Sequence, residues 1–227
     1  MSMKNKVLAA AATLTMVGGL SAVGALSASA ATPSCGNSCI DLFSREFGTH
    51  HNPAFVLDVW RGTAKAGTPI ILYRTSNNDA AEDFTVAFQG TVNDFYEAGL
   101  VSSALNLHYS HLYAYEFEYS PNGVNSGLCV GVGSTAANLT PVALEPCGAS
   151  AKTTWVVDSY DTIRGGYVPL INGSDTNFSH PYVLHYPGNG YPTDTPRPQL
   201  NTYELQKYSN GTVYNNELWG ANFGVLR

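Results

Sequence analysis

The feature that most constrains this chain is that it repeats itself. Phe55-Val-Leu-Asp-Val59, Gly67-Thr-Pro-Ile-Ile-Leu-Tyr73, Asp83-Phe-Thr-Val86 and Gly90-Thr-Val92 form one set of short apolar runs. Leu128-Cys-Val-Gly-Val132, Thr140-Pro-Val-Ala-Leu144, Thr154-Trp-Val-Val157 and Asp161-Thr-Ile163 form a second. Asp58 precedes Gly131 by 73 positions, Pro69 precedes Pro141 by 72, and Phe84 and Thr91 precede Trp155 and Thr162 by 71. A weaker third copy runs through Val168-Pro-Leu-Ile-Asn172, His180-Pro-Tyr-Val-Leu184, Leu200-Asn-Thr-Tyr203 and Gly211-Thr-Val213. Each copy reads as about four strands separated by turn residues. One such unit cannot bury its apolar face alone, and three that close on one another leave no exposed sheet edge. The expectation is an all-β domain of three repeats. A charged fraction of only 12%, with 14 Tyr and 22 Gly, suits strands and turns better than helices.

Two stretches interrupt the pattern. Residues 95–125 are an insert between copies one and two, rich in tyrosine (Tyr109, Tyr113, Tyr115, Tyr119). Within it, the alternation Tyr115-Glu-Phe-Glu-Tyr119 predicts an added strand, and Glu97 to Leu112 reads as a short helical segment carrying His108 and His111 on one side. Pro187 to Pro198 carries four prolines and must be a loop.

The N-terminus has the order of a secretory signal: Lys4 and Lys6, an uncharged apolar run from Val7 to Leu26, then Ser27-Ala-Ser-Ala-Ala31. Residues 1–30 are therefore expected to be removed, leaving residues 31–227 as one secreted, extracellular domain with an N-terminal segment, 31–49, outside the repeats. The alanine-rich style of the signal points to a bacterial source. No later segment has the length of a membrane span. Loss of Lys4 and Lys6 takes the formal charge from −6 to −8, and no basic run occurs, which excludes nucleic acid and membrane insertion from the expected partners. All four cysteines follow the signal, and an even count in an exported chain implies two disulfides. Cys129 and Cys147 flank a strand-turn-strand pattern, while Cys35 and Cys39 are close enough to close a tight loop; the crossed pairings stay open.

The second copy carries a family resemblance. Ser126-Gly-Leu-Cys-Val-Gly-Val132, Pro141-Val-Ala-Leu-Glu-Pro-Cys147, Thr154-Trp-Val156 and Asp161-Thr-Ile-Arg164 resemble one repeat of the ricin-type β-trefoil lectins. The resemblance covers roughly 50–94 and 126–223 and implies twelve strands about a pseudo-threefold axis. It also implies a Cys129–Cys147 disulfide within the repeat. The family's Gln-x-Trp signature is missing: Glu82-Asp-Phe84, Thr153-Thr-Trp155 and Asn201-Thr-Tyr203 stand in its place.

In that family an aspartate on one strand accepts hydrogen bonds from sugar hydroxyls, and an aromatic on the next stacks on the ring. The need is general, because a pyranose offers CH groups on a face and hydroxyls at its edge. Copy one keeps Asp58 and Tyr73, with Asn78 and Glu82 as the remaining candidate ligand-binding residues. Copy two has Gly131 and Glu145 at the two positions, and copy three has Asn172 and His185. No nucleophile elbow, metalloprotease helix or phosphate loop occurs, so no catalytic residue, metal site or cofactor is expected. Glu116 and Glu118 share one strand face and read as a solvated pair rather than as glycosidase carboxylates.

The sequence thus points to a secreted, non-enzymatic binding protein that recognises carbohydrate through one degenerate pocket. The alternative is an adaptor or scaffold subunit of a secreted multi-protein assembly, such as a bacterial antagonistic toxin particle. That reading rests on the eroded sugar positions, the tyrosine-rich insert and the small-residue segment Ala31–Cys39 as a docking strand for another protein.

Overall fold

The computed structural model describes residues 39–47, 55–75, 79–148, 150–161, 166–188 and 198–223, all within the compact unit Thr32–Arg227. The expected signal peptide, Cys35 and Asn78 lie outside the described residues.

Twelve strands form three consecutive sets of four. The first set is β1 (Ile40–Ser44), β2 (Phe55–Val59), β3 (Ile70–Arg74) and β4 (Phe84–Thr91). The second is β5 (Tyr113–Tyr119), β6 (Leu128–Val132), β7 (Thr140–Pro146) and β8 (Trp155–Val157). The third is β9 (Leu170–Asn172), β10 (Tyr182–His185), β11 (Asn201–Glu204) and β12 (Trp219–Phe223). The outer strands of each set pair antiparallel in the circuit β12–β1–β4–β5–β8–β9. A reciprocal pair of hydrogen bonds between Val168 and Trp219 (2.9 and 3.0 Å) closes that circuit into a six-stranded barrel. The inner strands form three hairpins, β2–β3, β6–β7 and β10–β11. These meet one another in a triangle through Pro69–Ala143, Pro141–Asn201 and Ile71–Gln199. A barrel capped by a triangle of hairpins is the β-trefoil, so the expected fold class is what the chain adopts.

Ladder register makes the three repeats superimposable residue by residue. Asp58 faces Ile71, Gly131 faces Ala143 and His185 faces Asn201 across their hairpins. Inward positions follow the two-residue period of strands: Leu57, Val130 and Leu184 are equivalent and all buried, as are Ile70, Val142 and Leu200. Phe84, Trp155 and Trp219 begin the last strand of each repeat and are at most 1% exposed. The indole of Trp155 donates to the Val130 carbonyl (2.9 Å) and that of Trp219 to the Leu184 carbonyl (2.8 Å), the same bond in two repeats. Phenylalanine in repeat one has no N–H to give.

This register corrects the sequence reading in several places. Ile40–Ser44, assigned to a segment outside the repeats, is the first strand of repeat one and spans the barrel beside β12. Gly90-Thr-Val92 is not a separate strand but the end of β4 running into a helix, and Asp161 lies in a turn after β8. Tyr115–Tyr119 belongs to no added strand: it is most of β5, the opening strand of repeat two. In repeat three the Gln-x-Trp position is held by Glu217-Leu-Trp219 and not by Asn201-Thr-Tyr203, which is β11. The third copy had slipped by one strand because its loops differ in length from those of the others.

The helical expectation for the insert holds in part. Helix α1 (Val92–Glu97) starts at a capping box between Thr91 and Asp94, and α2 (Ser103–Tyr109) is capped by Ser102 through the Leu105 N–H. His108 is in α2, while His111 follows in the turn. Val92, Phe95, Val101 and Leu105, on and between these helices, pack on Ala114, Val156, Ile171 and Val183, burying a second core against the outer face of the barrel. Glu116 and Glu118 are buried rather than solvated. Glu116 accepts from the Gly148 N–H and the Thr153 hydroxyl, and Glu118 from the Gly127 N–H, so both carboxylates tie down the ends of the β6–β7 hairpin. The disulfide Cys129–Cys147 closes the same hairpin, and Cys39 is also disulfide-bonded.

Candidate functional site

The side chains singled out in repeat one converge. Asp58 is the penultimate residue of β2 and Tyr73 that of β3. After β3 the chain turns back through a 3-10 turn, Ala80–Glu82, whose N-cap Asp79 accepts a hydrogen bond from the Ala81 N–H (3.0 Å). That turn swings Glu82 under Asp58, and carboxylate oxygens of Asp58, Asp79 and Glu82 all lie within 4.8 Å of one another. Asp58 and Glu82 are each only 3% exposed, and Asp79 is half-buried. A cavity of about 400 Å³ opens here, lined by Asp58, Arg61, Tyr73, Asp79, Tyr119 and Asn122 among others. Its size is that of a small-ligand site.

Two walls of this cavity were not foreseen from sequence. Tyr119, buried at the end of β5, belongs to repeat two and donates its hydroxyl to the Gly62 carbonyl (3.2 Å). Burial, then the charges of Asp58, Asp83 and Asp79, push its phenol up to about 12, which keeps it a donor. Arg61 sits in a 3-10 turn with φ 58°, and Asn122 has φ 55°. These are two of three non-glycine residues with positive φ among the described residues, and both border this cavity. Backbone held in that sparsely populated region collects at binding sites. The Arg61 guanidinium lies 5.4 Å from the Trp60 ring centroid. The only signal for Asp79 in the sequence was the polar run Ser76-Asn-Asn-Asp79.

The assembly is a flat aromatic beside a cluster of acceptors with one guanidinium at the rim. Chemically it can accept hydrogen bonds from several hydroxyls at once, with Arg61 as a donor at its rim. Asp58, Asp79 and Glu82 are also the residues that could hold a hard cation, a set the sequence reading did not anticipate.

The equivalent places in the other repeats differ. In repeat two, a Cβ added to Gly131 would lie 2.9 Å from Thr153 Cγ2 and 3.0 Å from the Lys152 carbonyl oxygen, so the 3-10 turn fills the space an aspartate would need. In repeat three the register puts His185 in the place of Asp58, and Tyr203, not His185, in the place of Tyr73. Asn172, read as the aspartate's counterpart, is in β9 and bonds Lys152 and Ser174. His185 is clamped by Asn201 (2.8 Å) and Asn216 (3.1 Å) with its ring 5.0 Å from Tyr203. Burial holds its imidazole below the usual range. Glu217, in the position of Glu82, is fully buried; one oxygen accepts from the Gln206 N–H and the other has no hydrogen-bond partner among the described residues. Burial pushes this carboxyl up to about 8.

Three solved structures share the framework. The designed 3-fold symmetric protein ThreeFoil matches with TM-score 0.51 at 14% identity, over 81% of this chain and 97% of that one. A mosquitocidal holotoxin matches with TM-score 0.51 at 14% identity, over 83% of this chain and 17% of that one. The exo-β-1,3-galactanase 1,3Gal43A of Clostridium thermocellum matches with TM-score 0.52 at 12% identity, over 82% and 30%. In the last two, the chain corresponds to a minor part of a longer protein. At such identity the likeness establishes the fold alone. No protein-family model and no curated protein sequence matches the chain.

Proposed function

We propose that this chain is a secreted, non-enzymatic, lectin-like protein that binds carbohydrate through the pocket of repeat one. One observation carries the reading. The fold brings the oxygens of Asp58, Asp79 and Glu82 within 4.8 Å of one another, and Asp58 and Asp79 line a cavity whose lining includes Tyr73. A pyranose needs both halves of that arrangement, acceptors for its hydroxyl edge and a ring for its CH face. Tyr73 is half-buried, so the ring is supported by the protein while part of it meets solvent. Repeats two and three lack the charged acceptor, one by steric filling and the other by replacement with histidine. Export is supported by the order of charged, apolar and small residues before Ala31.

The test is a panel of glycans and cell-wall polysaccharides probed with the full chain exported into an oxidising compartment, beside Asp58→Ala and His185→Ala. Saturable binding abolished by Asp58→Ala and kept by His185→Ala is the expected result. Silence across the panel, with the protein folded, would overturn the carbohydrate reading and favour the adaptor role in a secreted assembly.

A further inference from the structure

A cavity of about 660 Å³ lies away from the hairpin pockets. It opens where the insert meets repeats two and three. Tyr109 comes from the end of α2, Asp158, Tyr160 and Asp161 from the turn after β8, Phe178 from the β9–β10 loop and Lys207 from beyond β11. Three aromatic rings therefore face one space. Tyr109 and Phe178 meet edge to face at 6.1 Å, and His108 backs Phe178 in a stack at 4.2 Å. Tyr160, 71% exposed, stands at the rim with its hydroxyl bonded to His111.

The charge in this space does not balance. Lys207 is spent on Asp161, 2.7 Å away, and His180 lies against Glu204 at 3.8 Å. Asp158 is 6% exposed, and its Oδ1 accepts from the Tyr160 and Asp161 N–H groups (3.0 and 3.4 Å). Its Oδ2 accepts no hydrogen bond from any described residue, and among the described residues the cation whose charge reaches it, Lys207, is ion-paired with Asp161 instead. Burial first, then the neighbouring Asp161, raises its carboxyl above the ordinary range. Tyr109 is pushed up to about 12 by burial and then by Asp175, Asp158 and Asp161, which marks the wall as negative. Two carboxylates, Asp158 and Asp161, thus share the one positive charge of Lys207; a buried carboxylate so under-compensated is costly, and a cation arriving in the cavity reduces that cost.

We infer that this cleft binds an organic ammonium ion, its positive group seated among Tyr109, Tyr160 and Phe178 against Asp158. Aromatic faces attract large, weakly hydrated cations and are the usual surround for quaternary ammonium groups. A metal ion is a poorer occupant, since the three-carboxylate set close enough to ligate one is Asp58, Asp79 and Glu82, elsewhere in the fold. The site is independent of the carbohydrate pocket and stands or falls separately from it.

Choline chloride is the probe, titrated into the full chain by calorimetry and by NMR, with its neutral carbon isostere as control. Choline binds saturably and the isostere about tenfold more weakly or not at all. Tyr160→Ala, a surface change that leaves the fold intact, and Asp158→Asn, which keeps the Oδ1 acceptor, each weaken choline by about tenfold, whereas Asp58→Ala leaves it unchanged. Equal affinity for the isostere, no saturable choline binding, or loss of binding in Asp58→Ala but not in Tyr160→Ala would each overturn the inference.

Discussion

The hairpin pockets of repeats one and three occupy the same place in the fold and do opposite things with it. In repeat one Asp58, Asp79 and Glu82 gather their oxygens together, and Asp58 and Asp79 line an open cavity with Tyr73. In repeat three the corresponding His185 is locked between Asn201 and Asn216, and Glu217 is sealed in with a carboxyl pushed up to about 8. One pocket sets Asp58 and Asp79 at an open cavity; the other encloses its polar groups within its own repeat. The difference teaches that trefoil symmetry is a property of the apolar frame. Position-equivalent core residues such as Leu57, Val130 and Leu184 are interchangeable, while the polar residues beside them have been reassigned one repeat at a time.

The frame gives the largest expected effects. Trp219→Ala removes a fully buried indole and should cost about 3–5 kcal/mol by urea denaturation. Trp219→Phe, which gives repeat three the ring that repeat one already has at Phe84, leaves the Leu184 carbonyl unbonded and should cost only about 1–3 kcal/mol. If the two variants were equally damaging, the indole bond and not the volume would be setting repeat three. Next in size is the cross-link, which among described hairpins belongs to repeat two. Cys129→Ser with Cys147→Ser opens an 18-residue loop and should cost about 3 kcal/mol, read by the same denaturation under non-reducing conditions.

Glu217 provides a pH-dependent contrast between the pockets. Its folded-state value is about 8 against an unfolded value of 4.5, so across that window the folded state holds a proton that the unfolded state has lost. Its contribution therefore favours folding below about pH 4.5 and is withdrawn as pH rises, by up to ~1.4 kcal/mol per pH unit, until about pH 8. Glu217→Gln mimics the protonated form and should flatten this slope, so that variant and wild type diverge in stability toward pH 8 in the variant's favour. Parallel stability curves for the two proteins would mean that Glu217 is charged in the folded state and that the pockets differ less than their geometry implies.

Much of this molecule was legible before its structure. Repetition at a near-constant offset between copies one and two carried the fold, because their β-hairpins and last strands have nearly equal spacing. It failed in copy three, where the Pro187–Pro198 loop lengthens one hairpin and the Glu217-Leu-Trp219 signature sits beyond the expected strand. Ile40–Ser44 was missed because its partner in the barrel is at the other end of the chain, a non-local pairing with no local mark. Asp58 and Tyr73 could be set on one hairpin from the sequence because strand positions fix where side chains point, whereas Glu82 comes beside Asp58 through a 3-10 turn. Tyr119 and Asn122 could not be placed, since they reach the pocket from the next repeat, and Glu116 and Glu118 looked solvated until the hairpin ends they bond came into view.

Arg61 sharpens the comparison at the smallest energetic scale. It is held at φ 58°, a backbone region costing an ordinary side chain about 1 kcal/mol, and its guanidinium recovers about 0.5–1 kcal/mol over the half-buried Trp60 ring. Asparagine tolerates that backbone conformation better than arginine but gives up the ring contact, so the two terms nearly cancel in Arg61→Asn. Stability should then stay within about 0.5 kcal/mol of wild type, while a working repeat-one pocket loses its rim donor and binds its glycan several-fold more weakly. A drop in stability above about 1 kcal/mol with unchanged binding would make Arg61 part of the frame instead. The strained turn would then belong to the architecture, and repeat one would differ from repeat three only in its carboxylates.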